Sequence, residues 1–147
     1  MNSTKVLKTE RVLAFTPEQI FKTIERGDVF AKWWGPKDFT NTFETYEFKN
    51  GGRWIFVMHA PNGQNYPNEN HFKEIIHNQK VVIEHVLDPK FILSMTLIPE
   101  DKHTRLVWEQ DFETVELANS LKPMCEPANE QNLDRLQAIL EQYHSKS

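Results

Sequence analysis

The sequence predicts an α+β fold in which a curved antiparallel sheet of about six to seven strands wraps around a long C-terminal helix. Between Thr40 and Phe112, turn signals recur between short apolar or alternating segments, which is typical of consecutive antiparallel strands. The chain then changes to a helical period. One helix face carries an apolar stripe made of Leu133, Leu136, Ile139, Leu140 and Tyr143.

The first three elements come before this run of strands. Residues 5–14 are predicted to form a strand. A helix then begins at Thr16-Pro17, because Thr16 is a good N-cap, proline is favoured at the first helical position and Gln19 completes a capping box. We expect this helix to end at Gly27. Residues 28–34 predict a second short helix, which ends at Gly35-Pro36.

The Asn50-Gly51 pair predicts the first hairpin, since a two-residue turn needs positive φ at both positions. In that register three pairs of residues lie opposite each other: Glu47 and Trp54, Thr45 and Phe56, and Phe43 and Met58. Residues 60–69, which are rich in Pro, Asn and Gly, predict a loop.

Two further hairpins are predicted. The first joins residues 70–77 to 80–87 about Asn78-Gln79, and it pairs Ile76 with Val81, Ile75 with Val82, Lys73 with Glu84 and Phe72 with His85. The second joins residues 91–98 to 104–112, and it pairs Met95 with Trp108 and Leu97 with Leu106. Residues 115–122 predict a separate short helix that ends at Pro123.

Composition limits the classes of function. The chain has 147 residues, which suits a single domain spanning 1–147. Its net charge of −4 argues against nucleic acid as a partner, because phosphate binding needs a basic face. We expect no membrane span and no signal peptide. The one cysteine, Cys125, has no partner for an internal disulfide, so a cytoplasmic protein is expected.

The segment Trp54–Met58 is almost wholly apolar. A strand that is apolar on both faces must be covered on both faces or must line a cavity. The chain also carries ten Phe, four Trp and three Tyr, which indicates either a bulky core or an aromatic-lined pocket. The sequence therefore favours a protein with a ligand-binding cavity over an enzyme.

Several motifs occur in an order that resembles one known family. They are Phe15-Thr-Pro-Glu-Gln-Ile-Phe21, Trp33-Trp34-Gly35-Pro36, Gly51-Gly52-Arg53-Trp54, Val57-Met58-His59-Ala60-Pro61-Asn62-Gly63, Phe72-Lys-Glu-Ile-Ile76 and Ala128-Asn-Glu-Gln-Asn-Leu-Asp-Arg-Leu136. Together they resemble the Hsp-ninety ATPase activator homologue-like (AHSA-like) family of the START-like (SRPBCC) helix-grip superfamily. Many relatives have a Gly-Trp pair before the last helix, where this chain has Glu126-Pro127-Ala128.

The resemblance implies a sheet wrapped around the C-terminal helix, with a cavity between them that often takes an apolar small molecule. Members of the family differ in function, so the fold alone does not name an activity. The chaperone activators that name the family usually carry an additional N-terminal domain, for which we expect no room here. A chaperone partner is therefore expected less than a small apolar ligand.

Catalytic and metal chemistry remain alternatives. The six histidines show no HxxxH or HExxH spacing, so we predict no metal site and no cofactor. A strand carboxylate such as Glu74 or Glu109, facing the pocket beside a histidine, would support an enzyme of the hydrolase or cyclase kind. Trp33 and Trp34 either close the pocket mouth or anchor a short helix to the sheet.

The leading hypothesis is a monomer or weak dimer that binds a small, largely apolar molecule between the sheet and the C-terminal helix. The hairpin registers and the helix stripe predict nine residues that line the site: Trp54, Phe56, Met58, Phe72, His85, Met95, Trp108, Leu136 and Leu140.

Overall fold

A computed structural model describes residues 4–144 of the chain as seven strands and three helices. The predicted domain 1–147 also includes residues 1–3 and 145–147, and the expected absence of a signal peptide also concerns residues 1–3; these six residues lie outside the described part of the chain. The strands are β1 (Val6–Leu13), β2 (Thr40–Tyr46), β3 (Arg53–His59), β4 (Asn65–Ile76), β5 (Lys80–His85), β6 (Phe91–Glu100) and β7 (His103–Phe112). The helices are α1 (Pro17–Glu25), α2 (Gly27–Trp33) and α3 (Val115–His144).

All seven strands form one antiparallel sheet in the order β1-β7-β6-β5-β4-β3-β2. Strands β2 to β7 follow one another as a meander, and α1 and α2 carry the chain from β1 to β2 at the opposite edge. Helix α3 packs its apolar stripe into the main core. The predicted α+β helix-grip arrangement is therefore confirmed. Among the described residues, no helix is both long enough and apolar enough to cross a membrane.

The start of α1 agrees with the prediction. The Thr16 hydroxyl accepts a hydrogen bond from the Gln19 backbone N–H at 3.2 Å, and the Gln19 side chain accepts from the Thr16 N–H at 2.9 Å. The predicted role of Gly27 was wrong, since it begins α2 and α1 is capped by Arg26. A Cβ at Gly27 would lie 2.9 Å from the Tyr46 ring, so close packing accounts for this glycine.

The predicted register of the first hairpin was wrong. Trp54 lies opposite Tyr46, Phe56 opposite Phe43, and Met58 opposite Asn41, with a bulge at Glu44. The Asn50-Gly51 turn is not a two-residue connection, because Gly51 and Gly52 form backbone hydrogen bonds with β4 and not with β2. The Gly51 N–H donates to the Phe72 carbonyl at 2.7 Å, and the Phe72 N–H donates to the Gly52 carbonyl at 2.9 Å.

Strand β4 also differs from its prediction. It begins at Asn65, so residues 65–69 are strand, and the predicted loop is shorter. Between Phe72 and Glu74 the pairing shifts by one residue, which leaves Lys73 in a bulge. The observed pairs are Ile76 with Lys80, Ile75 with Val81, Phe72 with Ile83, His71 with Glu84 and Asn70 with His85. The predicted pairs in this hairpin, including Lys73 with Glu84 and Phe72 with His85, were therefore wrong.

The turn between β4 and β5 explains why the pairs next to it differ from the prediction. Asn78 has φ of 60°, and the Gln79 N–H donates to the Ile76 carbonyl at 2.9 Å. Because Ile76 pairs with Lys80, the loop holds three residues, and three-residue loops typically include one residue in the left-handed region. In the last hairpin, by contrast, Met95 lies opposite Trp108 and Leu97 opposite Leu106, as predicted.

Helix α3 runs without a break through Pro123 and Pro127, so the predicted helix end at Pro123 was wrong. An interior proline removes one backbone hydrogen bond and favours a helix end. Here packing overrides that preference, because Ala118 is fully buried in a small cluster with Leu7 and Phe112. Within the predicted stripe, Leu133, Leu136 and Leu140 are buried, Ile139 is partly buried and Tyr143 is exposed.

Candidate functional site

A cavity of about 260 Å³ lies between α3, the strands β3 to β7, and the segment that follows α2. We name this segment, Trp34-Gly35-Pro36, the WGP segment. The apolar part of the lining consists of Trp34, Pro36, Phe56, Met58, Phe91, Leu93, Trp108, Met124 and Ala128. The polar part consists of Asn68, Asn70, His85, Gln110, Cys125, Asn129 and Asn132. Met124 is 64% exposed, so the cavity reaches the surface beside this side chain.

The structure brings four of the nine predicted residues to this cavity: Phe56, Met58, His85 and Trp108. The other five lie in the closed core instead, and each is fully buried there: Trp54, Phe72, Met95, Leu136 and Leu140. Trp54 shows why. Its ring stacks on Phe56 at 4.4 Å between centroids and on Phe72 at 6.0 Å, so aromatic neighbours fill the space around it.

Most of the polar lining residues were missed from the sequence. Asn129 lies four residues before Leu133, so it continues the buried stripe of α3, and Asn132 lies beside it. An amide on an otherwise apolar helix face was the signal that could have identified both. Asn70 and Gln110 had a weaker signal, since each lies two residues from a predicted lining residue, Phe72 or Trp108, and so shares its strand face.

The WGP segment is held against α3 by side chains of that helix. The Gly35 N–H donates to the Asn132 side-chain oxygen at 2.8 Å. Arg135 donates to the carbonyls of Trp34, Gly35 and Pro36 at 2.9–3.1 Å through Nη1. It also donates through Nη2 to the carbonyls of Lys32 and Phe39, each at 2.9 Å. Five backbone carbonyls therefore converge on one guanidinium, which fixes one wall of the cavity.

Trp33, the neighbour of the WGP segment, has a different role. It is fully buried, and its indole N–H donates to the Thr23 carbonyl at 3.2 Å. Of the two roles considered for the tryptophan pair, Trp33 therefore anchors α2 to α1. Trp34 is the member of the pair that lines the cavity.

The polar lining groups largely satisfy one another. Nδ1 of His85 lies 2.8 Å from Oδ1 of Asn70, and its ring stacks on Phe91 with centroids 4.8 Å apart. The Asn129 side-chain N–H donates to the Gln110 side-chain oxygen at 3.2 Å. Burial lowers the pKa of His85, which favours the neutral imidazole. With Asn70 as the acceptor, Nδ1 carries the proton and Nε2 is an acceptor.

The remaining ionisable groups leave the cavity without a formal charge. Burial raises the pKa of the Cys125 thiol, which favours its neutral form. The lining, drawn from residues 4–144, includes no Asp, Glu, Lys or Arg. Glu74 is exposed beyond the bulge in β4, and Glu109 alternates with the inward-facing Trp108 and Gln110. In the described part of the chain, no group of three His, Cys, Asp or Glu side chains is placed to hold a metal ion.

Known structures share this architecture. A crystal structure of a protein from Nitrosomonas europaea is 18% identical, matches 97% of this chain and 98% of its own, and has a TM-score of 0.87. One from Chromobacterium violaceum is 22% identical, with 92% and 97% covered and a TM-score of 0.82. The AHSA1 protein from Silicibacter pomeroyi is also 22% identical, with 95% and 99% covered and a TM-score of 0.77. At these identities the likeness shows the fold alone.

Sequence comparison gives the family. A search of curated proteins finds no match. The family model described as Activator of Hsp90 ATPase homolog 1-like protein matches residues 14–141. Because that match extends over most of the sequence, the chain belongs to the family of Activator of Hsp90 ATPase homolog 1-like proteins.

Proposed function

We propose that this protein binds a small, largely apolar molecule in the cavity between its sheet, α3 and the WGP segment. The observation that supports the proposal is the cavity itself. Its volume is about 260 Å³, and aromatic and aliphatic side chains from the sheet, α3 and the WGP segment line it. Small-molecule sites are concave, mostly apolar and supplied with a few fixed polar groups. The volume lies just below the range of roughly 300–1,000 Å³ for drug-sized ligands, which favours a compact molecule.

Binding would come mainly from removal of apolar surface from water, which contributes about 25 cal/mol per Å². Phe56, Leu93 and Trp108 are almost fully buried in the unliganded chain, so they form a rigid base for the cavity. The partly buried Phe91 supplies accessible apolar surface. Met58 and Met124 have flexible thioether side chains that adapt to the shape of a ligand.

Native mass spectrometry of the purified protein, followed by extraction of bound molecules, is the first test. A co-purifying apolar molecule in near-stoichiometric amount supports the proposal and identifies the ligand class. The second test is titration with naphthalene, monitored by tryptophan fluorescence because Trp34 and Trp108 line the cavity. If no molecule co-purifies and naphthalene shows no saturable binding, the proposal is contradicted.

A pair of helix variants makes the titration specific. Ala128 of α3 lines the cavity, and Ala128→Leu would fill part of it with a side chain that is well tolerated in helices. We expect this variant to lose at least about tenfold in naphthalene affinity, which corresponds to about 1.4 kcal/mol. Ala138→Leu, at an exposed position of the same helix, is the matched control and should bind like the wild type.

The two alternatives have less support. An enzyme that uses Glu74 or Glu109 needs a carboxylate at the cavity, and neither residue is among its lining. A chaperone-binding role needs a contiguous exposed apolar patch. The large exposed apolar side chains are spread over β1, β4, the β5–β6 connection, β6 and α3.

We also propose that the protein acts in the cytoplasm as a monomer or weak dimer. The reduced, half-buried thiol of Cys125 fits a reducing compartment. Sedimentation at several concentrations would test the oligomeric state, and fluorescence microscopy of a tagged chain would test the location.

A further inference from the structure

We propose that the ligand carries a neutral carbonyl group whose oxygen accepts hydrogen bonds from the indole N–H groups of Trp34 and Trp108. This inference rests on the proposed function, since it names the chemistry of the molecule that the cavity binds.

Two indole N–H donors in the cavity walls have no hydrogen-bond acceptor within the described part of the chain. The Nε1 atoms of Trp34 and Trp108 are buried and have no acceptor among the described residues. Trp108 is 1% exposed and Trp34 is 9% exposed. Leaving a buried donor unpaired costs about 1–3 kcal/mol, so native proteins rarely keep two of them at one place without a use.

Both tryptophans line the cavity. The rings of Trp34 and Trp108 stack with centroids 6.1 Å apart and planes inclined by 29°. One comes from the WGP segment and the other from β7, so together they connect two walls of the cavity. A carbonyl oxygen has two lone pairs and can accept from two N–H groups. The N–H groups are closed to water in the unliganded chain, so the rings must shift for an oxygen bound between these walls to accept from both donors.

The other two tryptophans provide an internal comparison. The Trp33 N–H is already paired with the Thr23 carbonyl. The Trp54 N–H is buried and unpaired, but Trp54 lies in the closed aromatic core and not at the cavity. The four indoles therefore comprise one paired donor, one unpaired donor in the core and two unpaired donors at the proposed site.

The charge of the lining favours a neutral acceptor. None of the described lining residues is Asp, Glu, Lys or Arg. An ionised carboxylate bound here would therefore lack an opposite charge in the lining, and burying an uncompensated charge is costly. The neighbouring guanidinium of Arg135 is already committed to five backbone carbonyls. A ketone, ester or amide oxygen satisfies the indoles without this penalty.

Three probes of similar size test the inference: acetophenone, which carries the carbonyl; α-methylstyrene, which replaces its oxygen with a methylene group; and benzoate, which carries a charge. We expect acetophenone to bind about tenfold more tightly than α-methylstyrene, the equivalent of one good hydrogen bond. Benzoate should bind more weakly than both. In Trp108→Phe, which removes one donor, the preference for acetophenone over α-methylstyrene should shrink several-fold.

A second readout uses the wild-type chain and does not depend on a variant that folds. In the proton–nitrogen correlation spectrum, the indole signals of Trp34 and Trp108 should move downfield when acetophenone binds. The signals of Trp33 and Trp54 should stay in place, because the first is already paired and the second lies outside the cavity. α-Methylstyrene should not cause the downfield movement.

The outcomes separate this inference from the proposed function. Equal binding of acetophenone and α-methylstyrene, with no downfield movement of the two indole signals, overturns the inference and leaves the ligand-binding proposal standing. Binding of none of the probes, naphthalene included, contradicts both. Tighter binding of benzoate than of acetophenone would also overturn the inference, because it would show that the site prefers a charged acceptor.

Discussion

The Nη1 group of Arg135 donates a hydrogen bond to the carbonyl oxygen of Trp34 at 3.1 Å, and so connects α3 to the wall of the cavity. The same guanidinium serves four other carbonyls between Lys32 and Phe39. These carbonyls lie in the last turn of α2 and in the turn that follows it, where carbonyls lack helical partners. The Trp34 carbonyl also accepts from the Asn41 side chain, and the Pro36 carbonyl from the Phe39 N–H. Arg135 therefore replaces the hydrogen bonds that a regular element would supply.

Arg135→Met should lower the free energy of unfolding by at least about 2 kcal/mol, because five hydrogen bonds to backbone carbonyls are lost at once. Arg135→Lys should recover less than half of the loss, since an ammonium group cannot match the planar fork of the guanidinium. Urea denaturation measures both effects. Arg53→Met is the control: Arg53 is exposed and pairs with Glu69 at 3.4 Å, so a change within about 0.5 kcal/mol is expected. Equal losses at the two arginines would contradict this role.

Gly35→Ala should disturb both the backbone and the cavity. Gly35 has φ of 102°, and a Cβ placed there would lie 2.8 Å from Cε of Met58, which lines the cavity. Gly51→Ala is the matched control, because Gly51 has φ of 79° and no atom within 4 Å of the new Cβ. Both variants should lose about 1–3 kcal/mol through backbone strain. Only Gly35→Ala should also change naphthalene affinity, and unchanged affinity would show that Met58 moves without cost.

Histidine 85 should make stability depend on pH. Burial lowers the pKa of His85 in the folded chain, so in the unfolded chain it takes up a proton at a higher pH. Below the ordinary pKa of about 6.5, the unfolded state therefore binds more protons, and the free energy of unfolding falls as the pH decreases. The loss continues until the pH has passed through the folded-state pKa of His85.

The measurement is the free energy of unfolding between about pH 7.5 and about pH 5.5, the range in which histidines change charge. His85→Gln keeps a side-chain N–H that can donate to Asn70 and should show a smaller fall than the wild type. His103→Gln alters an exposed histidine at the start of β7 and serves as the control. If all three proteins lose stability equally, His85 is not responsible for the pH dependence.

Leu136→Ala and Leu93→Ala should separate the core from the cavity. Leu136 is fully buried in the core and does not line the cavity, whereas Leu93 is 2% exposed and does. Each truncation should lower the free energy of unfolding by about 2–5 kcal/mol. Naphthalene affinity, measured by calorimetry on the folded fraction, should change only for Leu93→Ala. A clear change for Leu136→Ala would restore it to the predicted ligand contacts.

The sequence was sufficient to predict the order of the strands and the last hairpin, where the short turn leaves Met95 opposite Trp108. It was not sufficient to predict the bulges at Glu44 and Lys73, because a bulge depends on neighbouring strands and not on local preference. A shift of one residue moves every later side chain to the other face of a strand. The predicted lining is only partly at the cavity for another reason, since Trp54, Phe72 and Met95 face the interior but other core side chains fill the space around them.

The continuity of α3 could not be predicted for a similar reason. Two interior prolines predict a helix end, and the packing of Ala118 against the sheet outweighs this preference. The polar lining depends on the same long-range packing, since Asn70 and His85 come together through the shifted pairing of β4 and β5. The amino-acid composition predicted an aromatic-lined pocket, but only the tertiary contacts determine which aromatic rings line the cavity and which lie in the closed core.

The bulge at Glu44 has a consequence for molecules that meet in solution. Strand β2 is one edge of the sheet, and an edge strand with free backbone groups is a template for aggregation. The bulge interrupts the spacing of those groups, so a strand of a second molecule cannot pair with β2 along its length. At the opposite edge, β1 carries the charged side chains Lys8, Glu10 and Arg11. Both borders of the sheet thus carry features that oppose strand pairing between two molecules.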